Sequence, residues 1–189
     1  ELDFTSDGVS GYVGTLSNGV RTVYGNLTLS TGMTLTAGTS ATTMASTSGT
    51  KTITTNGKTL DFPLTFNGIG GTWQLGDDLT VGSARTVTLT NGVLDANGHD
   101  FTAGRFASSN SNVRTITMGS GTWRLTGSGG TIWNTTIATN LTLNRGSPVI
   151  LTYTGATGVR SIGAGGNEGN SPDVAIVGGT DSFSFANAR

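Results

Sequence analysis

Polar and apolar residues alternate with a period of two along most of the chain. In the Asn-Leu-Thr-Leu segment at 26–29 the two leucines share one side of an extended strand and the threonine takes the other. The segments at 33–37 and 85–90 repeat the pattern. A period of two is typical of a β-strand with one buried side, so the chain predicts many short strands.

Turn-forming residues separate these predicted strands. Asn-Gly pairs stand at 56–57, 67–68, 91–92 and 97–98, and a Gly-Ser-Gly-Gly run occupies 127–130. Asn and Gly tolerate the positive φ that tight corners need. No segment carries the 3.6-residue apolar period of an amphipathic helix, so an all-β chain is expected.

Short phrases recur along the chain. A base, a threonine and a β-branched residue follow one another at 21–23, 51–53, 85–87 and 114–116, and two other phrases recur at 26–29 with 140–143 and at 71–75 with 121–125. Irregular repeats of short strands and tight corners favour a parallel β-helix, or β-solenoid, of six or seven coils with roughly 28 residues each. The alternative is an antiparallel β-sandwich or jelly roll, whose strands also recur at short spacing. We further expect the bases that begin the first phrase to form a solvated ladder; they are Arg21, Lys51, Arg85 and Arg114.

The phrases do not extend to the last part of the chain. Residues 1–155 are therefore interpreted as the solenoid repeat region, and residues 156–189 as a Gly-rich loop with closing strands. Open strand edges at the ends of a solenoid invite association unless they are covered. We expect flanking sequence or a neighbouring subunit to cover them. The expected partners are identical subunits, in a trimer by preference or in another homo-oligomer or filament.

Composition narrows the function classes. The chain holds 36 Thr, 31 Gly, 18 Ser and 14 Asn, and its 10 basic and 11 acidic residues leave a net charge of -1. A nucleic-acid partner is not expected, because no basic excess exists to replace phosphate counterions. No apolar run is long enough for a membrane span, so none is expected. The chain has no cysteine, which removes disulfides and thiolate metal sites.

Carboxylates are the best candidates for catalysis, and their pattern is weak. Asp77 and Asp78 are adjacent, and neighbouring residues of a strand point to opposite faces, so they could cooperate only within a turn. The only histidine, His99, lies in a turn, and no Gly-x-Ser-x-Gly nucleophile elbow accompanies it. The loop at 167–173 offers oxygen ligands without the spacing of a calcium-binding repeat. We therefore expect no catalytic residue, no metal and no cofactor.

Three tryptophans remain to be placed. Trp73 and Trp123 alternate with leucines at 75 and 125, which predicts that both indoles face the core. Trp133 stands outside this phrase. It is the aromatic residue that we single out for contact with a glycan, because exposed indoles on a rod can stack on sugar rings.

The segments at 21–35, 108–115 and 139–143 resemble the Thr/Gly/Asn-rich repeats of tailed-phage virion proteins, such as tail fibres, tailspikes and other surface appendages. The resemblance covers roughly residues 1–155 and brings no catalytic motif with it. It implies an extended, extracellular, non-enzymatic β-structure that joins other virion proteins and presents or contacts host surface glycans. A bacterial surface adhesin of the same fold and a polysaccharide-degrading β-helix are the alternatives.

Overall fold

The computed structural model describes residues 1–5, 11–151, 158–166, 168–177 and 182–186. These residues form short β-strands and one 3₁₀ segment, Glu168–Asn170. All strand pairs found among them are parallel. The strands stack as a β-solenoid of about 8 turns. This confirms the predicted parallel β-helix and excludes the antiparallel alternatives.

Each turn supplies strands to three faces, which follow one another in chain order. Face 1 contains β1 (Leu2–Asp3), β4 (Leu27–Thr28), β7 (Thr50–Thr54), the second halves of β9 (Leu64–Leu75) and β11 (Thr86–Asp95), β14 (Arg114–Thr117) and β17 (Leu141–Asn144). Face 2 contains two sheets: β2 (Thr15–Leu16) pairs with β5 (Thr34–Leu35), and a six-stranded sheet follows with β8 (Thr59–Leu60), β10 (Leu79–Val81), β12 (Phe101–Ala103), β15 (Trp123–Leu125), β18 (Val149–Leu151) and β20 (Val174–Ile176). Face 3 contains β3 (Arg21–Val23), β6 (Thr42–Met44), the first halves of β9 and β11, β13 (Arg105–Ala107), β16 (Gly130–Thr135), β19 (Arg160–Ala164) and β21 (Phe183–Ala186).

The turns differ in length because their corners differ. On face 3, Val87 pairs with Phe106, 19 residues later, whereas Trp133 pairs with Ile162, 29 residues later. The structure has about 8 turns, so the expected number of six or seven coils of roughly 28 residues is wrong. Short corners allow more turns in the same length of chain.

Inward side chains stack in columns through the turns and form one continuous core. Its centre is aromatic: the rings of Phe101 and Trp123 are stacked with centroids 4.1 Å apart, and Phe106 meets Trp123 edge-on. Trp133 lies 4.8 Å from Phe106 between ring centroids. Stacking buries apolar surface against the turns on either side, so the narrow solenoid holds a continuous apolar cluster despite its polar composition.

The stack continues beyond residue 155. β19 pairs with β16, β20 with β18 and β21 with β19, all in parallel. The described part of 156–189 therefore extends the solenoid, while residues 152–157 lie outside the described chain. No helix in the described ranges is long and apolar enough to cross a membrane.

Candidate functional site

Two loops project from the corner between face 3 and face 1. The first, at 67–71, lies within β9, and the second, at 108–113, joins β13 to β14. In the turn between them the corner is reduced to Asn91 and Gly92 within β11, and the pairing register shifts on both sides of Asn91. A short corner between two longer ones leaves a groove across the edge of the solenoid.

Close stacking of the backbone at this corner requires glycine. A Cβ on Gly68 or on Gly71 would collide with the carbonyl oxygen of Ser46 in the preceding turn. Gly92 has a φ of +82°, and a Cβ there would collide with the carbonyl oxygen of Gly68. Only glycine leaves room for the backbone of the preceding turn at these positions. The glycines of the corner therefore determine how closely successive turns stack there.

A buried arginine holds the second loop in place. Arg114 is fully buried, and its guanidinium donates to the carbonyl oxygens of Ser108 and Asn112 at 3.0 and 2.5 Å. It also donates to the carbonyl oxygens of Ile137 and Thr139 in the next turn at 2.8 and 3.0 Å, while its Nε donates to Ser108 Oγ at 2.9 Å. Burial lowers the pKa of this guanidinium, and oxygen acceptors for all five N–H groups compensate for the lost hydration.

The groove between the two loops has a volume of about 570 Å³. Its walls are apolar, because Ile69 rises on one side and Val113 on the other, and each is 73% exposed. Gly92 and Val93 contribute to the surface between them. The remaining lining residues are uncharged, namely Gly70, Asn91, Ser111, Asn112 and Thr115. A neutral cleft of this volume, with apolar walls and a few amide and hydroxyl groups, suits a small uncharged ligand.

The same corner exposes apolar side chains on other turns. Tyr24, which follows β3, is 67% exposed, and Ile137, between β16 and β17, is 50% exposed. We call Tyr24, Ile69, Val113 and Ile137 the corner stripe. By contrast, the corner between faces 1 and 2 carries charged residues such as Asp77, Asp78 and Asp100.

Trp133 does not lie on the surface. Its exposure is 0%, its ring packs against Phe106 and Trp123, and its Nε1 donates to Thr135 Oγ1 at 3.0 Å. Side chains alternate in and out along a strand, and an irregularity between Thr131 and Trp133 places this indole inward. A fully buried indole offers no face to a sugar, so the expectation of an exposed Trp133 is wrong. Trp73 and Trp123 are also fully buried, as their pattern predicts.

Asp77 and Asp78 serve different turns. Asp77 accepts hydrogen bonds from the backbone N–H groups of Thr55 and Asn56 at 2.7 and 2.6 Å, and from Thr55 Oγ1 at 3.1 Å. Asp78 accepts from the backbone N–H of Asp100 at 2.9 Å. The two carboxylates therefore bind opposite neighbours within the stack and do not form an acid/base pair over one shared site.

Two further acids near this corner, Asp95 and Asp100, and the candidate histidine His99 are likewise engaged in the fold. Asp100 accepts from the backbone N–H of Thr122 at 2.7 Å, and Asp95 accepts from Gln74 Nε2 at 3.1 Å. His99 Nδ1 lies 3.6 Å from Asp78 Oδ1. These contacts link one turn to another, as expected for structural side chains.

The expected ladder of bases does not form. Arg21 lies on face 3 and Lys51 on face 1, while Arg85 precedes β11 on face 3 and Arg114 begins β14 on face 1. Arg114 is buried, and Arg85 donates to Asp61 Oδ1 at 2.8 Å. The repeated phrase therefore marks the start of a strand and not one position in the turn.

The oxygen-rich loop at 167–173 falls only partly within the described chain, because Asn167 lies outside it. Its described part contains the 3₁₀ segment and Asp173. The Oδ1 atom of Asp173 lies 3.8 Å from Arg145 Nη1. The described residues contain no group of three or more His, Cys, Asp or Glu side chains that could hold a metal ion.

The sequence shows the parts of the groove but not their assembly. The Asn-Gly pairs at 67–68 and 91–92 mark the two corners. That these corners stack, one long and one short, depends on pairing between turns, which no local pattern encodes. Arg114 is the sequence signal for the second loop. A basic residue at an inward position of a strand needs hydrogen-bond acceptors around it, and a loop folded over the strand can supply them.

Comparison of the chain with protein-family models, with curated proteins and with solved structures finds no match.

Proposed function

We propose that this protein is a non-enzymatic structural rod of a phage virion appendage, fibre-like or spike-like, which contacts host surface glycans through the groove of the corner stripe. The observation that carries the structural role is that the candidate catalytic carboxylates, Asp77 and Asp78, accept hydrogen bonds from backbone N–H groups of neighbouring turns. The resemblance of the segment at 21–35 to phage virion repeats supports a virion and extracellular location.

The groove supports the glycan part of the proposal. Its lining contains no charged side chain, so it suits a neutral sugar better than an acidic one. Ile69 and Val113 offer apolar walls to the C–H faces of a sugar ring, and Asn91 and Asn112 carry amide groups for its hydroxyls. A volume of about 570 Å³ is in the range of small-ligand sites.

A binding assay with matched variants tests this role. Purified chain is titrated with a panel of neutral and acidic bacterial polysaccharides, and release of reducing ends is followed in the same samples. Val113→Asp should weaken binding to the recognised neutral polysaccharide by about tenfold or more, since it places a charge in an apolar wall. Thr80→Asp, an exposed change on face 2, should leave binding unchanged. No reducing ends should appear.

Four results would contradict the proposal. If Val113→Asp and Thr80→Asp bind the polysaccharide equally well, the groove is not the contact surface. Absence of binding to the whole panel would remove the glycan role. Release of reducing ends would favour the polysaccharide-degrading β-helix. A coding sequence surrounded by bacterial surface-export genes, and not by virion genes, would favour the bacterial adhesin of the same fold.

A further inference from the structure

Hydrogen bonds attach both walls of the groove to the strand between them. From the second loop, Asn112 Nδ2 donates to the carbonyl oxygen of Thr90 at 3.0 Å. Toward the first loop, Asn91 Nδ2 donates to Asn67 Oδ1 at 2.6 Å. Thr90 and Asn91 are neighbours in β11, so one strand anchors both loops. The groove is therefore formed before any ligand binds.

The second loop is also attached to the turns on either side of it. Ser108 Oγ donates to the carbonyl oxygen of Leu89 in the preceding turn at 3.0 Å. In the following turn, Asn140 Nδ2 donates to the carbonyl oxygen of Ser111 at 2.9 Å. These bonds add to those that Arg114 makes from inside the solenoid. A wall held in this way need not become ordered on binding, which lowers the entropic cost of association.

The two amides that line the groove have their oxygens left over. Asn91 and Asn112 each use one N–H on the fold, and no donor among the described residues bonds to the Oδ1 atom of either. Each amide keeps one further N–H, against two lone pairs on its oxygen. The other polar side chains of the lining, Ser111 and Thr115, are hydroxyls that can donate or accept. The groove therefore has more fixed acceptors than fixed donors.

The orientation of the Asn112 amide follows from its partner. The carbonyl oxygen of Thr90 can only accept, so the NH₂ end of the Asn112 side chain must face it. The Oδ1 atom is then the end that remains for a ligand. A ligand that covered this oxygen without donating to it would remove its water and replace nothing, and an unpaired acceptor weakens binding.

We propose that the groove selects neutral sugars whose free hydroxyl groups donate to the Oδ1 atoms of Asn91 and Asn112, an inference that rests on the proposed glycan contact. Asn112 is the main specificity-determining residue, because its amide orientation is fixed. Methylation or acetylation of the sugar hydroxyls removes the donors and keeps oxygen acceptors, so either modification prevents recognition.

The test compares one polysaccharide with its own methyl ether. The probe is the neutral polysaccharide of the panel that the unmodified chain binds, before and after chemical O-methylation. Isothermal titration should show that the chain binds the untreated form at least about tenfold more tightly than the methylated form, since hydroxyl donors to the amide oxygens are lost.

Matched variants separate hydrogen bonding from the added bulk of the methyl groups. Asn112→Ala should bind the untreated form more weakly, and its preference over the methylated form should fall at least about threefold. The control is Asn110→Ala: Asn110 Oδ1 accepts from the backbone N–H of Asn112 at 2.9 Å, but Asn110 does not line the groove. It should keep the preference of the unmodified chain. Circular dichroism of both variants confirms the fold.

The outcomes distinguish this inference from the proposed function. Equal binding of the untreated and methylated forms by the unmodified chain would overturn the inference and leave the glycan contact in place. A preference that Asn112→Ala retains in full would also overturn it, because the preference would then come from bulk alone. No binding of any untreated polysaccharide would refute the glycan contact itself, and the inference with it.

Discussion

Asp and Asn side chains at the corners link successive turns through the backbone. Asp78 accepts from the N–H of Asp100, and Asp100 in turn accepts from the N–H of Thr122. Asn97 Nδ2 donates to the carbonyl oxygen of Leu75 at 3.2 Å. Hydrogen bonds to charged acceptors contribute about 1.5–3 kcal/mol each, more than neutral ones. Much of the polar composition of this chain is therefore structural.

Replacement of the adjacent acids should separate their roles. Asp77→Ala should lower the free energy of unfolding by about 2–3 kcal/mol, because it leaves the N–H groups of Thr55 and Asn56 without their acceptor and Thr55 is fully buried. Asp78→Ala should cost about 1 kcal/mol, since its partner N–H at Asp100 is exposed to water. Chemical denaturation of both variants measures the difference. A larger loss for Asp78→Ala would mean that Asp77 does not tie these turns together.

At the scale of the strand, alternation in the sequence correctly predicts which side chains enter the core. Val87 and Leu89 of β11 are both at 0% exposure, while Thr88 between them faces outward. The prediction works because each strand has one buried side, which makes the local pattern sufficient. The Asn-Gly corners are predicted in part: both residues adopt positive φ at 56–57 and at 97–98, only the glycine does so at 91–92, and neither residue does so at 67–68.

Two substitutions in β11 test its register. Leu89→Asp would bury a charge in the column beneath Phe66 and should lower the free energy of unfolding by about 3–5 kcal/mol. Thr88→Asp, beside Thr65, should change it by no more than about 0.5 kcal/mol, because this side of the strand meets water. Thermal melts give the comparison. Equal losses would indicate that both sides of β11 are covered.

The local pattern does not predict which strands stack. The base-Thr-β-branched phrases at 21–23 and 51–53 begin strands on different faces, because every face needs the same kind of strand start. The spacing of phrases therefore differs from the length of a turn. The position of Trp133 depends on an irregularity in pairing between turns, and the groove depends on unequal corners in adjacent turns. Both are properties of pairing across some 20–30 residues, beyond the reach of alternation.

For the whole molecule, contacts are confined almost entirely to adjacent turns. β9 and β11 are paired on both sides, whereas β21 is paired on one side within the described chain. In such a one-dimensional stack, stability is approximately the sum of turn stabilities and the interfaces between neighbouring turns. Disruption of an interface between two interior turns should therefore destabilise the turns on both sides of it. Disruption of an interface near an end should destabilise only the turns at that end.

Matched Leu→Ala substitutions test this one-dimensional behaviour. Leu94, in β11, is fully buried between Trp73 and Ile116 on the adjacent turns, and Leu27, in β4, is 4% exposed between Leu2 and Ile53. Each cavity should cost about 2–5 kcal/mol locally. In native-state hydrogen exchange, Leu94→Ala should lower protection of the turns on both sides of it. Leu27→Ala should lower protection only in the first two or three turns, because the remaining turns keep both neighbours. A uniform loss along the whole chain in both variants would instead show that all of the turns unfold as one cooperative unit.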